Sequence, residues 1–508
     1  MNNRKIEEAW KYHNCTKHPG MPAHYMDWEN QPTPFKIYKD LISLKIPTDL
    51  EPSALTALEA ISVTVQDAGQ ECVPDLTTLG RLLFLSAGII KKTGYPGGDI
   101  YFRVAACTGA LYHIDLYIIC CDLDGLEAGV YHFAPHDFSL KRLRSGDYRG
   151  VLDRATAGHP SILKSPISIV CADTFWRNAW KYQARAYRHT FWDTGTILAN
   201  TLAAASAHNI PAAVIAGFID TALNSLLGLD AEREAAVSIV TIGNTGKREP
   251  RETQEPEPID HETLPLSRRE VDYPEIRQMH RASTLGTEEE VSGWRSRAVK
   301  LRPTEPSGKL YPLGFDEDLS TASDTLESTI SRRGSTRRFA RASITFKQLS
   351  NTLHYSTQGI PADFLTEGTP ALNYIYIIAN DVDGLPSGAY FYNIQKNALE
   401  LLKEGDFRDE AGHLGLGQDI PADASADVFF LSDLPAVFDA YGNRGYRAAQ
   451  LEACIIGGRL YLAAYGQRFG ASGLTFYDDD VTRFFSPHAE GKSAMFLVAL
   501  GKSVKRGN

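Results

Sequence analysis

The sequence predicts an α+β fold that is built twice in one chain. Residues 122–149 (DLDGLEAGVYHFAPHDFSLKRLRSGDYR) align without a gap to residues 381–408 (DVDGLPSGAYFYNIQKNALELLKEGDFR), with 11 identities in 28 positions and a spacing of 259 residues. The same spacing carries Arg185 onto Arg444, further along the chain. A locally shared turn would not preserve one spacing over this distance. The two halves therefore descend from one ancestral module.

Each half has the same alternation of short apolar runs and one long apolar stretch. The short runs are rich in β-branched and aromatic residues and predict buried strands, two of which continue into hairpins after DG turns. Residues 190–209 and 449–470 are apolar on every side, which predicts buried helices. Each module is then a mostly antiparallel sheet flanked by helices. The predicted strands are 111–121, 167–173 and 235–243 in the first half, and 373–380, 427–433 and 493–501 in the second.

Length and composition bound the class of protein. A chain of 508 residues exceeds the usual size of one hydrophobic core, so two domains are expected. The net charge of −10, without a basic stripe, argues against a general nucleic-acid binder. The chain has no apolar leader and no apolar run of membrane-spanning length, and its seven cysteines lack metal-ligand spacing. We therefore expect a reduced, cytoplasmic protein without a structural metal.

The chain divides into four predicted parts. An N-terminal arm (1–48) carries several aromatic residues that can pack on the rest of the protein. Module 1 covers 49–247 and module 2 covers 309–508. The segment between them, 248–308, opens with a stretch rich in Pro, Glu and Arg that has no hydrophobic periodicity, so we expect an exposed linker.

The segment SRRGSTRRF (331–339) is the sharpest local motif. Four arginines surround a Gly-Ser-Thr group, and guanidinium forks with a hydroxyl and free backbone N–H groups suit a phosphate monoester. A solvated basic face explains the composition equally well. The position just ahead of the predicted helix 345–356 favours an anion site.

Two further segments of the first half carry candidate chemistry. RVAACTGALYH (103–113) is a turn of small residues, which lets backbone approach a planar ligand closely. In WKYQARAYRH (180–189), Lys181 and Tyr182 precede the long helix and could exchange protons if their pKa values are shifted. The alternative is an exposed lysine beside a packing tyrosine.

The order of these motifs resembles the nitroreductase-like flavoenzymes, and most of all the SagB-type dehydrogenase branch, whose members oxidise azolines to azoles on peptides. The most specific pieces are RGSTRRF, the DGLxxGxY hairpin and KYxxRAYR. The resemblance implies two nitroreductase-like modules packed as an intrachain pseudo-dimer, with FMN at their interface. It also implies two-electron chemistry on a small organic or peptide-derived substrate, with NAD(P)H as a candidate reductant.

The resemblance also implies that the two halves have lost complementary parts of the site. The first half has no Arg-Ser motif at 49–60 and no glutamine at 154–160, while the second has TEGTPALNYIY (366–376) in place of the small-residue turn and Ala440 in place of Lys181. We predict one FMN across the two halves and one dead pseudo-site. The cofactor-binding residues implied are Arg333, Gly334, Ser335, Arg337, Gln418, Ser472, Gly473, Leu474 and Lys502 in module 2, and Ala106, Cys107, Thr108 and Gly109 in module 1.

The resemblance makes Lys181 and Tyr182 the candidates for proton transfer. Tyr182 would act as acid or base, and Lys181 would lower its pKa or donate directly. The direction of the reaction, the nicotinamide and any further oligomerisation stay open at this point. Two other hypotheses also stay open: a flavin-binding scaffold or silent partner protein without turnover, and a protein with no flavin at all.

Overall fold

The structure is a computed structural model with two modules that share their main strands and helices in the same order. Both modules combine a seven-stranded sheet with flanking helices, which confirms the α+β prediction. The structure describes residues 2–22, 24–47, 52–65, 70–95, 98–247, 255–299, 305–366 and 370–504.

The first half of the chain contains the N-terminal arm and module 1. The arm begins with a helix and then adds a strand to the sheet of module 1. In chain order the elements are α1 (Glu7–Cys15), β1 (Ser43–Lys45), α2 (Ala57–Ser62), α3 (Leu76–Ala87), β2 (Ile89–Tyr95), β3 (Gly98–Arg103), β4 (Ile114–Cys120), β5 (Gly129–Ala134), β6 (Ser139–Ser145), α4 (Arg149–Ala155), α5 (Pro160–Lys164), β7 (Ile167–Thr174), α6 (Phe175–Tyr182), α7 (Ala186–Ala207), β8 (Ala212–Ile215), α8 (Asp220–Leu227) and β9 (Glu234–Ile242).

The segment between the modules is not a uniformly exposed linker. It contains two helices, α9 (Pro274–Ala282) and α10 (Glu288–Arg295), and each buries apolar side chains such as Met279 and Trp294. Composition alone hid these helices because their polar faces dominate the segment. Residues 248–254 and 300–304 of the expected linker lie outside the described residues.

Module 2 repeats the plan of module 1, with an additional short parallel pair formed by two of its strands. In chain order its elements are β10 (Leu310–Pro312), α11 (Leu326–Arg332), β11 (Ile344–Thr345), α12 (Phe346–Ser356), β12 (Asn373–Ala379), β13 (Val382–Asp383), β14 (Gly388–Asn393), β15 (Ala398–Glu404), α13 (Arg408–Leu414), α14 (Asp419–Asp423), β16 (Ala426–Ser432), α15 (Leu434–Tyr441), α16 (Arg444–Gly466), β17 (Gly470–Leu474), α17 (Asp478–Phe485) and β18 (Ser493–Gly501).

The two large sheets have equivalent topologies. Their strand orders are β1-β6-β5-β4-β7-β9-β8 and β10-β15-β14-β12-β16-β18-β17, and all neighbouring strands in them run antiparallel. The DG turns before β5 and β14 place Gly125 and Gly384 at φ 83° and 91°, which favours glycine. The predicted hairpins are therefore confirmed. Module 1 adds a separate hairpin, β2–β3.

The long helices α7 and α16 cross at the centre of the protein. A Cβ atom on Gly195 would lie 2.6 Å from the Cβ of Cys454, and one on Gly458 would lie 2.6 Å from the Cβ of Ala199. Each contact joins two residues that are 259 positions apart, so equivalent positions of the two helices meet where the helices cross. Among the described residues, no helix combines the length and hydropathy needed to cross a membrane.

A buried ion-pair network, the first clasp, joins the start of α7 to module 2. Arg188 Nη1 donates to Asp478 Oδ1 at 2.6 Å, and Arg185 Nη1 donates to Asp478 Oδ2 at 3.1 Å. Arg188 also donates to the Thr16 hydroxyl and to the His13 carbonyl at the end of α1, at 3.0 and 2.7 Å. Burial alone would raise the pKa of Asp478, but the two guanidinium groups hold it well below its usual range.

The second clasp repeats this network with the modules exchanged. Arg444 and Arg447, at the start of α16, donate to the Asp220 carboxylate of module 1 at 2.6 and 2.9 Å. Arg447 also donates to the Ser283 hydroxyl and the His280 carbonyl at the end of α9, at 2.8 and 2.9 Å. Helices α1 and α9 are therefore equivalent, and the structural repeat includes the helix that precedes each module.

We expect the clasps to be strong contributors to stability. Asp478→Asn and Asp220→Asn should each lower the free energy of unfolding by about 3–5 kcal/mol, because each leaves two buried arginines without a counter-ion. Asp479→Asn is the matched control, since its pair with Lys17 is largely exposed and is worth less than about 1 kcal/mol. Denaturant titration measures all three, and equal losses for Asp478→Asn and Asp479→Asn would contradict this assignment.

Candidate active site between the two modules

A cavity of about 370 Å³, here called the composite cavity, lies between the two modules. Residues predicted from the sequence in both halves meet in its walls, eleven of the fifteen in all, so the cavity brings the two candidate sets together. Its lining residues are Ala106, Cys107, Thr108, Gly109, Lys181, Tyr182, His189, Trp192, Asp193 and Thr196 from module 1, and Ser335, Arg337, Gln418, Tyr461, Gly473, Leu474, Thr475 and Phe496 from module 2.

Tyr461 of α16 organises the module 2 wall. Its hydroxyl lies 3.3 Å from the Ser335 hydroxyl and accepts a hydrogen bond from the backbone N–H of Gly473. A Cβ on Gly473 would lie 3.0 Å from the Phe496 ring and 3.4 Å from the Tyr461 hydroxyl. Glycine therefore lets the end of β17 pack against these two aromatic side chains.

Arg337 and Gln418 complete this wall. Arg337 lies in the loop between α11 and α12, where it is exposed to solvent and lines the cavity. Gln418 is the residue that precedes α14, and its Nε2 donates to the Gly415 carbonyl at 2.7 Å. The module 2 wall thus presents a permanent cation and an oriented amide to the cavity.

The small-residue turn of module 1 is held in place by Asp193 of α7. The Asp193 carboxylate accepts hydrogen bonds from the Thr108 N–H at 2.9 Å, the Thr108 hydroxyl at 2.8 Å and the Cys107 thiol at 2.9 Å. Thr196 Oγ1, one turn along the helix, donates to the Ala106 carbonyl at 2.6 Å. These bonds fix the turn backbone against the cavity.

A buried histidine supports this carboxylate from behind. His113 lies between Asp173 and Asp193, with its nitrogens 2.6 and 2.8 Å from their oxygens. Burial would lower the pKa of His113, but the two carboxylates raise it to about 9. Burial and Asp193 raise the pKa of the Cys107 thiol. Cys107, His113 and Asp193 are residue types that can bind a metal ion, and their side chains lie close together. The protonated thiol and the distances between these side chains fit a hydrogen-bonded network instead.

Lys181 and Tyr182 face the cavity at the end of α6. Burial, Asp193 and Cys107 raise the pKa of Tyr182, so its phenol is neutral and can donate. This direction is opposite to the lowering expected from Lys181. Burial and the charge of Arg337 lower the pKa of Lys181. Gly109 has φ 65°, and a Cβ there would lie 2.9 Å from the Tyr182 hydroxyl, so glycine admits this ring.

Arg333, expected to bind the cofactor, lies outside the cavity lining. Its guanidinium donates to the Val104 and Arg103 carbonyls of module 1, at 2.6 and 3.1 Å. Its guanidinium carbon lies 5.7 Å from the centroid of the Tyr461 ring, and the side chain is buried. Because these contacts cross between the modules, Arg333 joins them and supports the turn that begins at Ala106.

Three other predicted residues are also absent from the lining. Gly334 lies beside Ser335, and Lys502 is exposed after β18, where its carbonyl accepts from Ala340. Ser472 is fully buried in β17, and its hydroxyl has no hydrogen-bond partner among the described residues. These residues flank the site without forming its wall.

Sequence reasoning missed much of the aromatic and polar lining. The long helices carry a sequence signal that could have found part of this lining. The repeat aligns His189 with Ala448 and Thr196 with Ile455. At these two positions module 1 has a polar residue where module 2 has an apolar one. The missed residues are His189, Trp192, Asp193, Thr196, Tyr461, Thr475 and Phe496.

The position related to the composite cavity by the repeat has a different lining. Leu202 takes the place of Tyr461, and Ala448 takes the place of His189. Because α2 is equivalent to α11, the counterpart of the Arg-Ser motif follows α2. It therefore begins at residue 63 and does not lie at 49–60 as expected. Residues 49–51, 66–69 and 367–369 lie outside the described residues.

Asp363 of module 2 occupies part of this related position. Its carboxylate accepts hydrogen bonds from the N–H groups of Ala216 and Gly217, both at 2.8 Å. Ala216 and Gly217 come directly after β8. In the pairing register of the two sheets they correspond to Leu474 and Thr475, at the end of β17 in the composite cavity. Burial raises the pKa of Asp363 to about 6. The Asp363 side chain thus binds backbone N–H groups whose counterparts in the other half belong to residues of the composite cavity wall.

Comparison with known proteins agrees with this geometry. The sequence matches the Nitroreductase family over residues 83–244 and 330–502, more than half of the chain. The chain belongs to the nitroreductase family. A nitroreductase-like protein of Methanocaldococcus jannaschii is 23% identical over 206 residues, covering 40% of this chain and 97% of that protein. A nitroreductase-like crystal structure from Anabaena variabilis covers 98% of this chain and 99% of its own, at 26% identity and a TM-score of 0.76.

The His113 network predicts a pH-dependent contribution to stability. Because the pKa of His113 is raised from 6.5 to about 9 in the folded protein, the stabilisation is complete below about pH 6.5 and is lost as the pH rises through 9. The unfolding free-energy difference between wild type and His113→Gln should fall by roughly 3 kcal/mol across that window. Thr190→Val removes a neutral donor to Asp173 and serves as a pH-independent control. Parallel pH curves for wild type and His113→Gln would refute the charged network.

Proposed function

We propose that the protein is an FMN-dependent oxidoreductase with one flavin site built from both modules. The observation that carries this proposal is that candidate flavin-binding residues from both halves meet in one cavity of about 370 Å³. At the repeat-related position, Asp363 occupies the backbone N–H groups of Ala216 and Gly217. A single composite site is therefore the arrangement that we favour.

The charges of the composite cavity fit a phosphorylated ligand. Ser335 and Arg337 line one wall, and Lys181 lines the opposite one. The carboxylate of Asp193 is balanced by the protonated His113 behind it. The charged groups that remain available are cations, and Ser335 adds a hydroxyl. These are the donors that a phosphate monoester requires.

The remaining surface fits the ring system of FMN. The turn Ala106–Gly109 and Gly473 expose backbone, which allows close approach of a flat ligand. Thr475 lines the cavity, and its buried hydroxyl has no hydrogen-bond partner among the described residues. Such a group is costly unless a ligand completes it. Arg337, Ser335, Gln418, Gly473, Leu474 and the turn would hold the cofactor.

When bound, FMN supplies two-electron hydride chemistry that amino-acid side chains cannot provide. The chain contributes the proton transfer and the positioning. Tyr182, held neutral by burial, donates a hydrogen bond or a proton to the reacting molecule. Lys181 has a lowered pKa, so it can release and recover a proton near neutral pH more readily than an ordinary lysine. Trp192 and Phe496 form apolar walls that exclude water.

The finer assignment follows from the motifs that resemble the SagB-type branch. KYxxRAYR places Lys181 and Tyr182 beside the cavity, and we propose that this pair acts on a small organic or peptide-derived substrate. NAD(P)H is the proposed reductant for turnover in the reductive direction. The competing function is a flavin-binding scaffold, which would keep the same cavity without needing a lysine of lowered pKa.

The single-site proposal predicts one FMN for each chain. Arg337→Ala should raise the Kd for FMN by about ten- to a hundredfold, because a charge-assisted contact to the phosphate is lost. Arg338→Ala is the matched control, since this neighbouring arginine is exposed and does not line the cavity. Flavin absorbance gives the stoichiometry and a fluorescence titration gives the Kd. Two FMN per chain, or equal effects of the two substitutions, would refute the proposal.

The catalytic roles predict a selective loss of turnover. With NAD(P)H and 4-nitrobenzamide as acceptor, Lys181→Ala should lower kcat by about 10²–10⁴ while FMN content is retained. Arg337→Gln, measured at saturating FMN, should move the pH profile of kcat/KM to higher pH by up to about one unit, because a charge that lowers the pKa of Lys181 is removed. Unchanged turnover in Lys181→Ala would contradict the proton-transfer role assigned to Lys181. A yellow protein that no reductant bleaches would favour the scaffold.

A further inference from the structure

His189 is a polar residue of the composite cavity that the proposed chemistry does not use. It lies in α7, lines the cavity and is 1% exposed. Its Nδ1 is 2.8 Å from Asn178 Oδ1, and its Nε2 is buried without a hydrogen-bond partner among the described residues. Buried polar atoms of native proteins are normally paired, so an unpaired one at a cavity wall indicates a missing ligand group.

The contacts of His189 define what Nε2 can do. The Asn178 oxygen can only accept, so the Nδ1 atom facing it carries the hydrogen. Burial and the neighbouring charges of Arg185, His113, Arg188 and His18 lower the pKa of His189, which keeps the imidazole neutral. Its Nε2 is then a bare lone pair. Among the unpaired buried atoms of the lining, Thr475 Oγ1 can donate as well as accept, whereas His189 Nε2 can only accept.

The ring is also held beside the catalytic pair. His189 packs edge-to-face against Tyr182 with ring centroids 4.6 Å apart, and its centroid lies 4.8 Å from that of Trp192. At the repeat-related position the residue is Ala448. The imidazole therefore has no counterpart in the other half, and it lies next to the phenol that we assign to proton donation.

We propose that His189 is a substrate-recognition residue whose Nε2 accepts a hydrogen bond from an N–H or O–H group of the substrate. The site then selects molecules that carry such a donor close to the reacting atoms, such as primary or secondary amides, over analogues in which the donor is alkylated. This inference deepens the proposed function and rests on it. It adds the class of substrate, because a bound molecule without a donor leaves Nε2 buried and unpaired.

Two probes that share the nitrophenyl ring and the amide carbonyl, and differ in the amide N–H groups, test the selection. Calorimetric titration of the flavin-loaded protein with 4-nitrobenzamide and with N,N-dimethyl-4-nitrobenzamide gives a Kd for each. Wild type should bind the primary amide about tenfold more tightly. His189→Phe keeps an aromatic ring and should abolish this preference by weakening binding of the primary amide alone. His189→Gln restores an acceptor oxygen and should recover part of the preference.

Flavin absorbance of each variant is the matched control, and it should stay at the wild-type level because His189 is assigned to the substrate. Equal affinity of wild type for the two probes would overturn the inference, and so would a preference that survives in His189→Phe. A loss of flavin from His189→Phe and His189→Gln together would assign the residue to the cofactor instead. A colourless wild-type protein would refute the proposed function itself, before either probe is added.

Discussion

The architecture depends on arginines of one module being neutralised by a carboxylate of the other. Arg185 and Arg188 meet Asp478, and the repeat of this network closes the opposite end of the interface. Either module alone would lack the carboxylate that neutralises its two arginines, so the buried network forms only when both halves are folded together. The clasps therefore couple the folding of the two halves, and α7 and α16 can cross at glycine contacts only once both modules are in place.

Joining the two modules in one chain explains why the two related sites could diverge. In an ordinary symmetric dimer every substitution appears in both sites. Here Lys181 corresponds to Ala440 and Tyr461 to Leu202, so the two halves have diverged at positions that line the composite cavity. At the equivalent position, Asp363 binds the backbone N–H groups of Ala216 and Gly217.

Charged and neutral polar side chains take separate places around the composite cavity. The protonated His113 lies behind Asp193, which leaves the carboxylate free to orient the turn without presenting an unbalanced negative charge to a bound anion. Tyr182 lies between that turn and His189, and burial keeps both side chains neutral. Lys181 and Arg337 supply the positive charge at opposite walls. Proton donation, anion binding and hydrogen-bond acceptance are thus assigned to separate groups.

The sequence by itself determined the duplication, the strand and hairpin pattern, and which half retains which motif, because these are properties of local order and spacing. Only the tertiary structure decided that α7 and α16 begin several residues earlier than predicted, since their polar first turns are buried against the other module. It also decided that Arg333 joins the modules and that His189 faces the cavity. Both outcomes depend on which surfaces meet across an interface between segments far apart in the chain, and periodicity within one segment carries no information about that.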